Sequence, residues 1–109
     1  MAQYLVQVAY TSEAIATLVN NPHDRIVVVS KVVKKLGGKV VNGWLSFGEY
    51  DTAVIVHLPD NVAAAAFSMA LGAGGAAKNV KTTPLLSVEE GISAMKAAAT
   101  TGYKPPASA

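Results

Sequence analysis

Cysteine is absent from the 109 residues, so the chain has no disulfide frame, no thiolate nucleophile and no cysteine-based zinc site. Histidine occurs twice, and a metal site would have to be carboxylate-rich or shared between chains; no metal and no cofactor is expected. Charge is scarce as well. Asp, Glu, Lys and Arg make up 15% of the residues against 51% hydrophobic, which is little charge for the surface of a soluble monomer and points to self-association. The net charge of +2 favours an anionic partner only weakly. Lys31, Lys34, Lys35 and Lys39 form a basic patch, but without interleaved aromatics it reads as a solvated helix face, and no nucleic-acid partner is expected.

A long apolar run is missing too. The least polar stretch, residues 62–77, is mostly Ala and Gly, is interrupted by Ser68, and is too short and too weakly apolar to span a bilayer. The start, Met1-Ala2-Gln3-Tyr4-Leu5, lacks the basic region and apolar block of a secretory signal. A cytoplasmic protein with no membrane partner is therefore expected. Gly72-Ala73-Gly74-Gly75 follows a helical segment and lacks the Lys and hydroxyl pair of a phosphate loop.

What the chain does contain is organised around Gly48-Glu49-Tyr50-Asp51, a turn between two runs, 39–47 and 52–58, that both read as strands. Residues 3–10 alternate, with Tyr4, Val6, Val8 and Tyr10 on one side and Gln3, Leu5, Gln7 and Ala9 on the other, as a strand requires. Thr11-Ser12 offers a helix cap, and Ala14, Ile15, Leu18 and Val19 follow at helical spacing until Asn20-Asn21-Pro22 breaks the pattern. Residues 26–36 are β-branched, yet Ile26, Val29, Val33 and Leu36 share a helical face and Gly37-Gly38 supplies a stop, so the spacing predicts a helix. Asp60 caps a second helical segment over 61–71, where Val62, Ala65, Ala66, Met69 and Ala70 are expected to pack closely. A fourth strand is expected over 79–86, at a sheet edge or bulge because of Pro84. Ser87 and Glu90 have the spacing of a capping box ahead of a short last helix. The expectation is one α+β domain over 1–99, strand-helix-strand-strand-helix-strand, with an extended or disordered tail over 100–109.

Four segments together resemble the GYD domain family of small bacterial proteins: Pro22 followed by Arg25, Leu36-Gly37-Gly38-Lys39, the Gly48-Glu49-Tyr50-Asp51 hairpin leading to Pro59-Asp60, and Val80-Lys81-Thr82-Thr83. The resemblance covers about residues 3–90 on the element reading above. It implies a ferredoxin-like βαββαβ fold with a four-stranded antiparallel sheet, helices on one face, and assembly of the dimeric α/β barrel type. It implies no particular activity, since its relatives in fold range from monooxygenases and isomerases to ligand-binding modules.

Strand alternation gives the sheet one apolar face, which belongs under helices, and one mixed face. Leu5, Val40, Trp44, Ala53 and Ile55 on the mixed face are too apolar for water, and a second copy of the chain is the physical remedy. A homo-oligomer, a dimer or a multiple of dimers, is therefore expected. Gln7, Asn42, Trp44, Ser46, Tyr50, Asp51 and His57 would then line a pocket for a small ligand. Three functions compete. The first is a module that binds a small, partly apolar molecule between facing sheets and performs no chemistry. The second is a cofactor-free monooxygenase or isomerase acting on a small aromatic or carbonyl compound, with His57 as base, Trp44 as stacking platform and Asp51 orienting His57 or a water. The third is a structural module of a larger homo-oligomer, assembled through the Ala/Gly-rich helix around Ala66. Each site residue also has a plainer reading: His57 as a hydrogen-bonded interface residue, Trp44 as interface core, Asp51 as acceptor for nearby amides.

Overall fold

Two strands alternate in burial along most of their length, and they form the centre of the sheet. The computed structural model describes residues 1–106. In it β1 (Ala2–Tyr10) and β3 (Thr52–Leu58) pair antiparallel from Ala2 opposite Leu58 to Val8 opposite Thr52. β2 (Lys39–Leu45) adds to the free side of β3 and β4 (Ala77–Leu85) to the free side of β1. The antiparallel sheet has the order β2-β3-β1-β4, so Pro84 falls on an edge strand, where its missing N–H leaves no inner ladder broken.

Local signals set the helix ends. The Thr11 side chain accepts the Ala14 N–H to start α1 (Ser12–Asn20). The chain then breaks fully at Asn21-Pro22 and restarts where the Asp24 carboxylate accepts the N–H groups of Ile26 and Val27, opening α2 (Arg25–Lys35). Gly37 closes α2 at φ +85°, with Gly37 N–H donating to Lys34 and Gly38 N–H to Val33, the paired bonds of a Schellman stop. Asp60 caps α3 (Asn61–Ala73) through the Ala63 N–H. Ser87 and Glu90 form the reciprocal capping box of α4 (Val88–Ala98).

The core lies between one sheet face and α2 with α3. Tyr4, Val6 and Val8 of β1 and Val54, Val56 and Leu58 of β3 meet Val29 and Val33 of α2 and Ala64 and Phe67 of α3. Each large side chain buried in this way stabilises the fold by about 1.5–3 kcal/mol before entropy is counted. Gly43 lets α2 approach β2, because a Cβ there would meet the Ile26 side chain at 2.8 Å. The Tyr4 hydroxyl reaches Asn61 Oδ1 at 2.7 Å and fastens the start of α3 to β1.

The structure corrects two expected faces. On α3 the buried residues are Ala64 and Phe67, whereas Val62 and Met69 are 78% and 72% exposed. Almost every α3 residue is apolar, so the pattern carries little direction, and the one aromatic side chain decides which way the helix turns. On β2 the ladder slips between Val40 and Asn42. Val40 pairs with Val56 and packs against the core, instead of lying on the mixed face, because a bulge at Val41 advances the alternation by one residue.

α1 and α4 bury no residue. α4 stands off the helical layer with Val88 and Met95 exposed, and the radius of gyration, 17.4 Å, exceeds the about 13 Å of a compact chain this long. After α4, Thr100 and Thr101 turn the chain with hydroxyls on the carbonyls of Ala97 and Ala98, and residues up to 106 are exposed. The last three residues of the expected tail, 107–109, lie outside the described residues. Among the described residues no helix is long and apolar enough to cross a membrane.

Candidate functional site

The sheet face turned away from α2 and α3 holds the residues singled out above, and strand register sorts them into rows. Residues paired across antiparallel strands share a face. One row runs Lys39-His57-Gln3-Leu85, the next Asn42-Ile55-Leu5-Thr83, and the third Trp44-Ala53-Gln7-Lys81. Leu5, Ile55 and Ala53 in the middle are half-buried, and Trp44 at the β2 edge is 50% exposed. An apolar centre flanked by Gln7, Lys81, His57 and Lys39 is thus present without the Val40 that strict alternation would have added.

A fourth level is a polar clamp at the hairpin. Ser46 N–H donates to the Asp51 carbonyl at 2.9 Å, and Asp51 N–H donates to the Val8 carbonyl at 2.8 Å. The Ser46 hydroxyl donates to the Tyr50 carbonyl at 2.8 Å. Asp51 Oδ2 accepts the Tyr10 N–H at 2.8 Å. Asn79 of β4 donates to the Tyr50 hydroxyl at 3.3 Å, so Tyr50 reaches from the hairpin to β4 at the level of Ala9, which pairs with Asn79 and is 2% exposed. Gly48, at φ +126°, gives the turn a backbone shape that other residues rarely adopt.

The seven candidate residues therefore do not form one cluster. Ser46, Tyr50 and Asp51 are joined at the hairpin end, Gln7 and Trp44 lie across the middle, and His57 stands at the opposite end between Lys39 and Gln3. Asn42 folds its side chain onto its neighbour, Oδ1 accepting the Gly43 N–H at 2.8 Å. Six residues of strand separate Asp51 from His57, about 20 Å at 3.3 Å per residue, so Asp51 does not orient that imidazole within one chain. Trp44, opposite Ala53, is about 13 Å along the strand from His57. Among the described residues no three of His, Cys, Asp and Glu gather where they could hold a metal ion.

Sequence reasoning missed Tyr10 and Asn79 as partners of the hairpin. Only the length of the β1 alternation, which carries Tyr10 past the last pair with β3, hinted that its backbone would need another acceptor.

The comparisons with known proteins agree with this architecture. Among solved structures the chain is similar to the crystal structure of FFRP-DM1, with 14% sequence identity and a TM-score of 0.50, over 79% of this chain and 100% of that chain. Identity that low speaks to the shared α+β fold and to nothing about ligands. No curated protein matches. The family model described as GYD domain matches residues 4–95, from β1 into α4 and through the whole clamp around Gly48-Glu49-Tyr50-Asp51. The chain belongs to the GYD domain family.

Proposed function

We propose that the protein works as a homo-oligomer, a dimer or a multiple of dimers, in which the open sheet faces of two copies meet and enclose a small, partly apolar pocket that binds a small molecule without chemistry of its own. The observation that carries this reading is the pair of inner rows, where Leu5, Ile55 and Ala53 sit on the sheet face turned away from α2 and α3. Apolar surface gains about 25 cal/mol per Å² on leaving water, and a two-fold axis places such a face against its own copy. Sheets pack about 10 Å apart, which leaves room beside the apolar centre for a ligand held by Gln7, Lys81 and His57.

A chemistry-free module is favoured over a cofactor-free enzyme because of where the polar groups stand. The row neighbours of His57 are a cation and an amide, Lys39 and Gln3, and the Asp51 carboxylate is engaged by the Tyr10 N–H at the other end of the strand. A general base needs an orienting partner within hydrogen-bond reach.

Native mass spectrometry on gently purified protein tests the reading. Dimers or their multiples with a reproducible extra mass are expected, and Ile55→Lys is expected to give a folded monomer that has lost that mass. A monomeric parent protein, or an Ile55→Lys variant that assembles like the parent, would sink it.

A further inference from the structure

On the opposite side of the sheet, within the helical layer, lies a cavity of about 220 Å³. Ala70 of α3 and Gly74, the residue that caps it, line the space opposite Val28, Val29 and Val32 of α2, with Leu71 as the larger α3 neighbour, and their small size leaves the gap open. Its floor is Val6, Val54 and the ring of Phe67, all at most 1% exposed. An enclosed apolar cavity of about 150 Å³ admits benzene; this space is larger but opens to solvent, since Val28, Ala70 and Gly74 among its lining residues are exposed, and it has room for a ring or short chain and a polar head.

The polar groups are confined to one side. Thr52, 1% exposed, donates its hydroxyl to the Tyr10 hydroxyl at 3.1 Å, so the phenol of Tyr10, which lines the space, keeps its own proton to donate to a ligand. Arg25, half-buried at the start of α2, also lines the cavity. Tyr10 and Arg25 also line a second hollow beside Ala14 and Leu18 of α1, and that shared edge marks the rim. No acidic residue lines the cavity among the described residues. The nearby Asp24 uses its carboxylate on the N–H groups that open α2, and the Arg25 guanidinium meets the His23 ring, Nη1 to Nε2, at 3.3 Å.

We propose that this cavity binds a small apolar monocarboxylate, a short-chain or single-ring acid, with its body between α2 and α3 and its carboxylate held by Arg25 and the Tyr10 phenol. Arg pairs with carboxylates through two parallel N–H donors, and burial of the apolar body supplies the rest. This site is independent of the open sheet face, so either reading stands if the other fails.

Methyl NMR on the whole chain tests it, with benzoate and hexanoate as probes and benzyl alcohol and hexanol as neutral counterparts. The acids are expected to shift the methyls of Val29 and Val54 saturably and to bind about tenfold or more tightly than the alcohols. Arg25→Gln, a change at the rim that leaves the core intact, is expected to reduce the acids to the level of the alcohols, and Ala70→Leu to abolish both by filling the space. Absence of saturable shifts at millimolar acid, shifts confined to Leu5 and Ile55 on the open face, or an Arg25→Gln variant that binds acids unchanged would each overturn the proposal.

Discussion

The backbone N–H of Tyr10 donates to Oδ2 of Asp51 at 2.8 Å, across 41 residues of sequence. Since the backbone of Asp51 also bonds to Val8 and to Ser46, this one residue joins the ends of β1, β2 and β3. Removing its carboxylate leaves the Tyr10 N–H without an acceptor. Asp51→Ala is expected to cost about 1–3 kcal/mol in urea unfolding, and Asp51→Asn, which can still accept, less. An alanine variant as stable as the parent would mean that the backbone bonds alone hold the junction.

Gly38 is a position where space, and not φ, demands glycine. A Cβ there would overlap the carbonyl oxygen of His57 and press on Leu58. Gly38→Ala is expected to lower stability by about 1–3 kcal/mol. Gly72→Ala, in the last turn of α3 with nothing within 4 Å, is expected to raise it by about 0.4–1 kcal/mol. Thermal unfolding of the two variants side by side separates these opposite signs.

The direction in which α3 turns can be tested by truncation. Phe67, 0% exposed, is expected to cost about 3–5 kcal/mol as Phe67→Ala. Met69, 72% exposed, is expected to change stability by no more than about 0.5 kcal/mol as Met69→Ala. Similar losses at the two positions would mean that the helix is rotated from the orientation described.

Acid is expected to loosen the start of α4. Glu90 accepts the Ser87 N–H and lies beside the Ser87 hydroxyl, and these contacts, the backbone one foremost, hold its carboxyl below the usual range. The capped helix therefore takes up a proton less readily than the unfolded segment. The stabilisation is complete above the ordinary carboxylate range, declines as pH falls through it, and is gone below the lowered value. Protection of the Ser87 amide, its exchange rate measured against the intrinsic rate at each pH, should fall over that interval in the parent protein and show no such step in Glu90→Gln.

How far the sequence reveals this molecule differs from element to element. β3 alternates so strictly that its core face, Thr52, Val54, Val56 and Leu58, could be named at once, and all four are buried. The caps at Thr11, Asp60 and Ser87 were legible because each is a short-range bond between a side chain and a nearby N–H. The bulge at Val41 was hidden, since an extra residue in one strand shows only against its partner. The α3 face was hidden because small apolar residues surround the helix and only Phe67 outweighs the rest. Separation of Asp51 from His57 was legible all along, as six residues of strand cannot fold back on themselves. The cavity was not, because it is made by side chains that are absent, at Ala70 and Gly74.

The slip at Val41 also bears on how open the sheet's edges are to a further strand. A regular edge strand offers its unpaired N–H and C=O groups as a template for fibril growth. β2 is such an edge and exposes Leu45 at 77%, with Phe47 just beyond it at 99%, but its ladder is bent by the bulge midway. β4, the other edge, carries Pro84, which has no N–H to offer, and the cations Lys78 and Lys81. With both margins blunted, runaway edge-to-edge addition is disfavoured, even for a chain this poor in charge.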